Sequence, residues 1–155
     1  MKFLADINVG KLARWLRVMG YDTALSDGRD DSEMVGLALV QRRVLLSRDT
    51  RLAEHNEART GLVKLIIFHT EDSWAQLRDL VESLQLRPRR TFSRCLECNE
   101  PLVSRKKAEV QGLVPLYVFQ TQRYYRQCPS CGRVYWRGTH WARMLKKLEE
   151  LARVG

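Results

Sequence analysis

All four cysteines of the sequence lie in two Cys-x-x-Cys pairs. The first pair is Cys95 and Cys98, and the second is Cys128 and Cys131. Each short turn aims two thiolates at one point, and a tetrahedral ion can close the chain between the pairs, so the spacing predicts a zinc ribbon. An ion with four protein ligands has no open coordination position, and we therefore expect a structural Zn²⁺.

Other uses of paired cysteines fit this sequence less well. A Cys-x-x-Cys redox pair is not expected to occur twice, and disulfides belong mainly to oxidising compartments. The N-terminal residues reach Asp6 before any apolar signal-peptide core, so we expect a cytoplasmic protein. His140 is a further candidate ligand, but four cysteines suffice, and we expect it at the surface or at a helix cap.

Acids near the ends of apolar runs form a second group of candidate residues. Asp6 and Asp49 each follow such a run, and Asp30 and Asp31 lie in the loop after another. Acids crowded at one edge repel one another unless a divalent cation offsets their charge, and their oxygen atoms suit Mg²⁺ or Mn²⁺. Such an ion could activate a water for attack on a phosphodiester. The alternative is that each acid caps the helix that follows it.

Hydrophobic periodicity predicts the elements that would position these acids. The predicted strands cover residues 2–5, 22–25, 43–47 and 63–68. Two predicted helices cover about residues 9–19 and residues 50–58. A third begins after Ser32 as its N-cap, and a fourth is capped by Asp72 or Ser73 and runs to about residue 84. Strands joined by helices are parallel, and aliphatic strands need cover on both faces, so the fold class is α/β, a three-layer sandwich around a parallel sheet. The carboxyl ends of such strands share one edge, where Asp6 and Asp49 would lie.

Charge and composition divide the chain into two parts. Residues 1–88 hold the alternating strands and helices, and residues 89–155 hold the cysteine pairs and a C-terminal helix with an apolar stripe. The net charge of +9 is uneven, because residues 91–155 contain 12 Lys or Arg against 5 Asp or Glu, a local net charge of +7. Such a surface is expected to bind a polyanion, although basic residues also serve solubility.

The sequence lacks the signature motifs of several function classes. There is no Gly-rich nucleotide loop, no GxSxG nucleophile and no apolar run of about 18 residues that would indicate a membrane helix. A phosphate-accepting receiver domain needs a lysine at the end of a late strand, whereas Lys64 lies near the start of its predicted strand. The sequence names no protein partner.

Five motifs follow one another along the chain: FLADINVGKLARWLRVMGYDT, DD with Glu33, RVLLSRDTRLA, SRCLECNEPL and QCPSCGRVYWRGTHWARM. Taken in order, they resemble the Mut-seven C-terminal RNase domain family, which has a PIN-like fold with an appended zinc ribbon. The resemblance covers nearly the whole chain. It implies a Mg²⁺- or Mn²⁺-dependent endoribonuclease that cuts single-stranded RNA, with its catalytic acids at Asp6, at Asp30 or Asp31, and at Asp49.

The chain departs from that pattern in two places. Family members often carry a basic residue just after the first acid, where this chain has Ile7 and Asn8. The fourth acid of typical PIN domains has no clear counterpart, and Glu71 and Asp72 are the candidates. The alternative function is therefore a non-catalytic RNA-binding or adaptor module.

Basic residues near the acids are candidate RNA contacts. Lys11, Arg14 and Arg17 recur at spacings of three on the first predicted helix, so they would share one face. That face either binds RNA or is simply solvated. Arg48 directly precedes Asp49 and is a candidate phosphate contact, unless strand alternation aims it away.

Aromatic and basic residues interleave in the ribbon, as in modules that stack bases and bind phosphate. The interleaved residues are Tyr117, Phe119, Tyr124, Tyr125, Arg126, Arg133, Tyr135, Trp136, Arg137, His140 and Trp141. Some of these rings must form the core of so small a module. Trp136 and Arg137, just past the second cysteine pair, are the predicted exposed contacts.

Overall fold

Strands and helices alternate in the first part of the chain, and antiparallel strands follow in the second. The structure, a computed structural model, describes residues 1–154 and the side chains of residues 1–153. The chain divides into two compact units, Met1–Thr91 and Phe92 onward. Within residues 1–154, no helix has both the length and the apolar character needed to cross a bilayer.

A parallel sheet of four short strands forms the centre of the first unit. The strands are β1 (Phe3–Ala5), β2 (Thr23–Leu25), β3 (Val44–Ser47) and β4 (Leu65–Ile67), in the order β2-β1-β3-β4. β1 pairs with both β2 and β3, so that Ala5 lies opposite Leu25 and Leu46. All pairs are parallel, which confirms the predicted α/β class. The residues just beyond β1, β2 and β3 therefore meet at one edge.

Helices follow each of these strands. They are α1 (Gly10–Val18), α2 (Asp31–Gln41), α3 (Asn56–Arg59) and α4 (Ser73–Leu84), with 3-10 helices at Ile7–Val9 and Thr50–Glu54. The sheet is covered on both faces, because Leu4 and Leu45 pack with apolar residues of α2 in one buried cluster, while α1 packs against α4. The rings of Trp15 and Trp74 make an edge contact between α1 and α4, with centroids 5.1 Å apart. The first unit is the predicted three-layer sandwich.

Two predicted helix bounds are wrong. Asp30 rather than Ser32 caps α2, because its Oδ1 accepts the N–H of Glu33 at 2.8 Å and the helix begins directly after it. The helix predicted over residues 50–58 is broken at His55, whose backbone is extended with φ −67° and ψ 138°. A 3-10 helix and the short α3 lie on either side of that break.

The second unit contains a three-stranded antiparallel sheet. Its strands are β5 (Val103–Arg105), β6 (Tyr125–Gln127) and β7 (Val134–Trp136), in that order, and its helices are the 3-10 helix Lys107–Val110, α5 (Leu116–Thr121) and α6 (Thr139–Val154). Val110, Val118 and Tyr125 form a small buried core. Phe92 stacks on Trp141 of α6 with ring centroids 3.8 Å apart, so the C-terminal helix packs within the ribbon unit.

Gly20, in the turn after α1, is a position where only glycine fits. Its φ is +95°, and a Cβ there would lie 2.7 Å from the carbonyl oxygen of Arg90. Gly61 has a similar φ of +80°, but a Cβ there would meet nothing within 4 Å.

We expect Gly61→Ala to lower the unfolding free energy by about 1–2 kcal/mol through its backbone conformation alone. Gly20→Ala should lower the unfolding free energy by about 1–3 kcal/mol more than Gly61→Ala does, because its Cβ also clashes with the backbone of Arg90. Urea denaturation measures both changes, and equal losses in the two variants would contradict this.

Candidate active site and zinc centre

The carboxylate of Asp6 lies at the centre of the sheet edge. It follows β1 and is buried. Its Oδ1 accepts the backbone N–H of Ile7 at 2.7 Å, and its Oδ2 accepts the hydroxyl of Ser47 at 2.7 Å. The side-chain amide of Asn8 adds a donor to Oδ2 at 3.2 Å. These donors satisfy the buried oxygens and hold the carboxylate in one orientation.

Ser47 connects the two acids that the sequence placed beyond strand ends. It is the last residue of β3 and is fully buried. Its Oγ donates to Asp6 and accepts the backbone N–H of Asp49 at 2.9 Å. The position of one hydroxyl therefore fixes the backbone of Asp49 relative to the carboxylate of Asp6.

Sequence reasoning missed the three neutral polar residues that surround Asp6. Besides Ser47, they are Asn8, whose Oδ1 accepts the N–H of Arg48 at 3.0 Å, and Ser26, whose hydroxyl lies 3.5 Å from Asp6 Oδ1. A signal was present, because Ser26 and Ser47 stand at the ends of apolar runs just as the acids do. A small polar residue at that position of a parallel strand faces the same edge.

Asp49 lies on this edge with its carboxylate held by Arg51. Its Oδ1 accepts the backbone N–H of Arg51 at 3.0 Å and the Nε–H at 3.1 Å, while its Oδ2 accepts the Nη2–H at 3.0 Å. Hydrogen bonds from the side chain and then the backbone of Arg51 lower the pKa of Asp49 below its ordinary value of 3.8. Asp49 is thus both the cap of the 3-10 helix Thr50–Glu54 and a partner in an ion pair.

The adjacent Asp30 and Asp31 have different surroundings. Asp30 is exposed, and its side chain caps α2. Asp31 is half-buried at the first position of α2. The hydrogen bond to Asp49 is the main cause that raises the pKa of Arg51, and the charge of Asp31 adds to it, so Asp31 lies within electrostatic range of the Asp49–Arg51 pair.

The acids share a region without meeting at one point. In the part of the chain that the structure describes, residues 1–154, the cysteine cluster is the only group of three or more His, Cys, Asp or Glu side chains close enough to share an ion. Asp6, Asp31 and Asp49 therefore do not surround a common point in this structure.

Arg48 and Glu71 form an ion pair at the same edge. Arg48 Nη2 lies 3.4 Å from Glu71 Oε1, and the Glu71 side chain is 85% exposed. The Nε of Arg48 is buried and has no hydrogen-bond partner among residues 1–154. Asp72, the other candidate for a fourth acid, caps α4 by accepting the N–H of Trp74 at 3.0 Å. Of the two, Glu71 is the one paired with a residue next to Asp49.

The three basic residues of α1 do not share one environment. Lys11 and Arg14 are exposed. Arg17 is only 5% exposed, and its Nε donates to the carbonyl oxygen of Thr23 at 2.9 Å. The prediction of one exposed basic face is therefore wrong for Arg17, which lies on the side of the helix that packs on β2.

The four cysteine sulfurs form one cluster in the second unit. They lie within 4.8 Å of one another, and none of them is in a disulfide. Cys95 Sγ and Cys131 Sγ are 3.7 Å apart. A tetrahedral site with Zn–S bonds of about 2.3 Å has S–S edges of roughly 3.8 Å, so this spacing fits Zn²⁺. The cysteines of the predicted zinc ribbon are thus together and could hold the ion.

The two cysteine turns have the same local geometry. In each pair, the N–H of the second cysteine lies 3.4 Å from the sulfur of the first. The next residue has a positive φ, 68° at Asn99 and 79° at Gly132. Asparagine and glycine adopt this conformation most readily, which explains why these residue types follow the two pairs.

The hydroxyl of Tyr135 contacts the cysteine cluster. It accepts the backbone N–H of Leu96 at 3.0 Å and lies 3.2 Å from Cys95 Sγ, to which it can donate its proton. Burial raises the pKa of Cys95, but hydrogen bonds from Tyr135 and neighbouring amides outweigh burial and bring that pKa down to about 7. Tyr135 therefore stabilises a thiolate at a position where a bound Zn²⁺ would need one.

Crowding of the sulfurs and burial raise the pKa values of two other cysteines. The hydrogen bond with Cys131, followed by burial, raises the pKa of Cys98 to about 12. Burial is the main cause that raises the pKa of Cys128. Several negative charges at this spacing are unfavourable without a cation among them, and Zn²⁺ would offset that repulsion.

The two predicted RNA contacts of the ribbon differ in exposure. Trp136 is half-buried and packs on the small core of the second unit, so it is not the exposed ring that was predicted. Arg137 is exposed, and its guanidinium lies over the ring of Tyr124 at 5.8 Å. Neighbouring strand residues point to opposite faces, which explains why the two differ.

The comparison with protein families covers nearly the whole chain. The model of the Mut7-C RNAse domain family matches residues 1–148. This chain belongs to that family. A comparison with curated proteins found no match, and a comparison with solved structures also found none.

Membership in the Mut7-C RNAse domain family confirms the resemblance seen in the motifs. The match includes the sheet edge of the first unit and all four cysteines of the second. It indicates a nuclease or RNA-related role for this Mut7-C protein and implies RNA as its substrate class.

Tyr135→Phe should weaken zinc binding by this Mut7-C protein. The substitution removes the hydroxyl beside Cys95 and keeps the ring, so we expect zinc affinity to fall about 10- to 100-fold, measured by competition with a chromophoric chelator. Tyr117→Phe is the matched control, because it removes a hydroxyl from an exposed ring of the same unit. If Tyr135→Phe binds zinc as tightly as the wild type, the hydroxyl does not support the site.

Arg51→Ala should raise the pKa of Asp49 towards its ordinary value of 3.8. The pair stabilises the ionised carboxylate, so its contribution to folding is present above the unfolded pKa and is lost as the pH falls through the lower folded pKa. An NMR titration of the Asp49 carboxyl carbon measures the shift. Arg29→Ala is the control, since Arg29 pairs with Asp27 instead. An unchanged Asp49 titration in Arg51→Ala would contradict the assignment.

Proposed function

We propose that this protein is a Mg²⁺- or Mn²⁺-dependent endoribonuclease of PIN-like fold that cleaves single-stranded RNA at the sheet edge, while the zinc-ribbon unit helps to bind the RNA. The observation that carries this proposal is the buried carboxylate of Asp6, joined to Asp49 through the one hydroxyl of Ser47. Burial of a carboxylate is costly, and such groups concentrate where chemistry requires them.

The oxygen atoms of this edge suit a hard cation. Mg²⁺ usually binds proteins through one or two carboxylates and keeps several of its waters, so Asp6 and Asp49 are sufficient protein ligands. The ion would supply charge neutralisation of the phosphodiester and an activated water. Arg51 has to release the carboxylate of Asp49 before that carboxylate can bind an ion.

Asp31 is the better choice for the second acid of the family pattern. The side chain of Asp30 is used as a helix cap. Asp31 is near enough to influence Arg51, which holds Asp49, so its charge acts on the same region. Its role would be to attract the cation and to orient waters bound to it.

Basic residues around the edge supply candidate phosphate contacts. Lys11 and Arg14 are exposed on α1, which begins four residues after Asp6. Arg48 has a buried Nε without a partner among residues 1–154, and an anionic oxygen would satisfy it. Arg51, once it leaves Asp49, is a further guanidinium at the point of cleavage.

In this proposal, the second unit supplies positive charge and a stable scaffold for RNA binding. Its local net charge of +7 over residues 91–155 favours RNA, and Arg137 is exposed on it. The zinc would fix the two cysteine turns and so the strands that follow them. Cysteines outside disulfides suit the reducing cytoplasm, which is the location we propose.

A non-catalytic RNA-binding or adaptor module is the second candidate. It is favoured by the observation that Asp6, Asp30 and Asp49 each accept a backbone N–H as the cap of a following helix. In that case the acids would serve the fold alone, and the surface would retain RNA without cutting it.

Asp6→Asn and Asp49→Asn test the nuclease proposal, because they keep the side-chain shape and remove the charge. We expect each to lower the rate of cleavage of a labelled single-stranded RNA in Mn²⁺ or Mg²⁺ about 100- to 1,000-fold, with zinc content unchanged. Asp31→Asn should also lower the rate. Asp30→Asn is the matched control, since asparagine caps a helix about as well as aspartate does, and it should cleave like the wild type.

The same assay separates the two candidates. A duplex of the same sequence should be cut more slowly than the single strand, and buffer without divalent ions should abolish cleavage. RNA retention without cleavage, equal in the wild type and in Asp6→Asn, would reject the nuclease and support the adaptor module.

A further inference from the structure

Four side chains of the second unit form a continuous ladder of planar groups. Phe92 stacks on Trp141 with an interplanar angle of 14°. The guanidinium of Arg137 lies over the Trp141 ring at 6.0 Å and over the Tyr124 ring at 5.8 Å. Both distances are within the range of favourable cation–π contact. The ladder therefore runs from Phe92 through Trp141 and Arg137 to Tyr124.

The strand register explains how Tyr124 and Arg137 meet. β6 and β7 are antiparallel, with Tyr125 opposite Trp136, and both of these face the small core. The next residues outward along this pair are Tyr124 on one strand and Arg137 on the other. Because side chains alternate between the faces of a sheet, these two lie together on the face away from that core.

The two ends of the ladder differ. Phe92 is 3% exposed, whereas Tyr124 is 74% exposed. A tyrosine this exposed contributes little burial to folding, yet its ring is positioned by a neighbouring guanidinium. The open end of the ladder is thus an oriented aromatic surface available to a planar ligand.

The charge of the chain segment that carries Tyr124 and Arg137 indicates the chemistry of that ligand. Between Glu109 and Glu149 the chain contains seven Arg or Lys residues and no Asp or Glu. The seven are Arg123, Arg126, Arg133, Arg137, Arg143, Lys146 and Lys147. An exposed ring set in an acid-free basic segment matches a ligand that has both planar rings and negative charge, which describes an unpaired nucleotide.

We propose that Tyr124 is a base-stacking platform for single-stranded RNA, with Arg137 orienting the ring and contacting the adjacent phosphate. The proposal rests on the proposed function, since it names the part of the ribbon unit that holds the substrate. Stacking requires an unpaired base, so the platform provides a physical reason for a single-strand preference.

The test uses the full-length, zinc-loaded protein and a fluorescent single-stranded RNA in buffer without Mg²⁺ or Mn²⁺, so that binding is measured without cleavage. We expect Tyr124→Ala to weaken binding roughly 5- to 150-fold and Tyr124→Trp to retain it. Tyr117→Ala is the matched control, because Tyr117 is 67% exposed in the same unit, and it should change binding less than about twofold. Equal effects of the two alanine variants would overturn the proposal.

Abasic RNA distinguishes stacking from other contacts. An RNA of the same length with abasic residues should bind the wild type more weakly, and Tyr124→Ala should weaken its binding no further. If Tyr124→Ala weakens normal and abasic RNA equally, the ring does not stack on bases and the proposal fails.

The salt dependence of RNA binding distinguishes the role of Arg137 from that of Tyr124. Arg137→Gln should make the slope of log affinity against log salt shallower by about 0.7, the value for one phosphate contact on a single strand. Tyr124→Ala should leave that slope unchanged, and a change of the same size in Tyr124→Ala would overturn the division of roles.

Cleavage measured separately keeps this test independent of the proposed function. If the wild type never cleaves but Tyr124→Ala still loses binding to normal RNA only, the nuclease proposal fails and the platform stands. If the wild type cleaves and Tyr124→Ala binds RNA as the wild type does, the platform fails and the nuclease stands.

Discussion

The register of three parallel strands is the constraint on which the first unit depends. Pairing of β1 with both β2 and β3 brings their carboxyl ends to one edge, and the next residue of β1 is an acid. A carboxylate buried there would be unfavourable without donors, and the neighbouring strand ends supply hydroxyls from Ser26 and Ser47. A slip of any strand by one residue would separate Asp6 from these donors, so the fold and the site are specified together.

Helix capping and the proposed binding of a cation would use the same atoms at this edge. Asp6 and Asp49 accept backbone N–H groups at the starts of 3-10 helices while presenting carboxylate oxygens to the edge. A backbone N–H favours the ionised form of a carboxylate, as a cation does. A cap at the end of a parallel strand is therefore already suited to bind a positive ion, and the two roles do not exclude each other.

The sequence predicted those features that depend on local pattern. The aliphatic runs specified the strands and the cysteine spacing specified the cluster, because both are set by residue type and short separation. Spacing on α1 could not show that Arg17 is buried, since that depends on where β2 lies. Likewise, Trp136 and Tyr124 could be sorted into core and surface only once the pairing of β6 with β7 was known.

The contact between Arg51 and Asp49 means that the chain carries its own counterion at the sheet edge. A divalent ion that used Asp49 would have to displace this guanidinium, so its apparent affinity would equal its intrinsic affinity multiplied by the fraction of molecules in which Arg51 is released. A divalent ion would therefore bind this edge only weakly when its concentration is low. It also presents less negative charge to an approaching polyanion than its acids alone would.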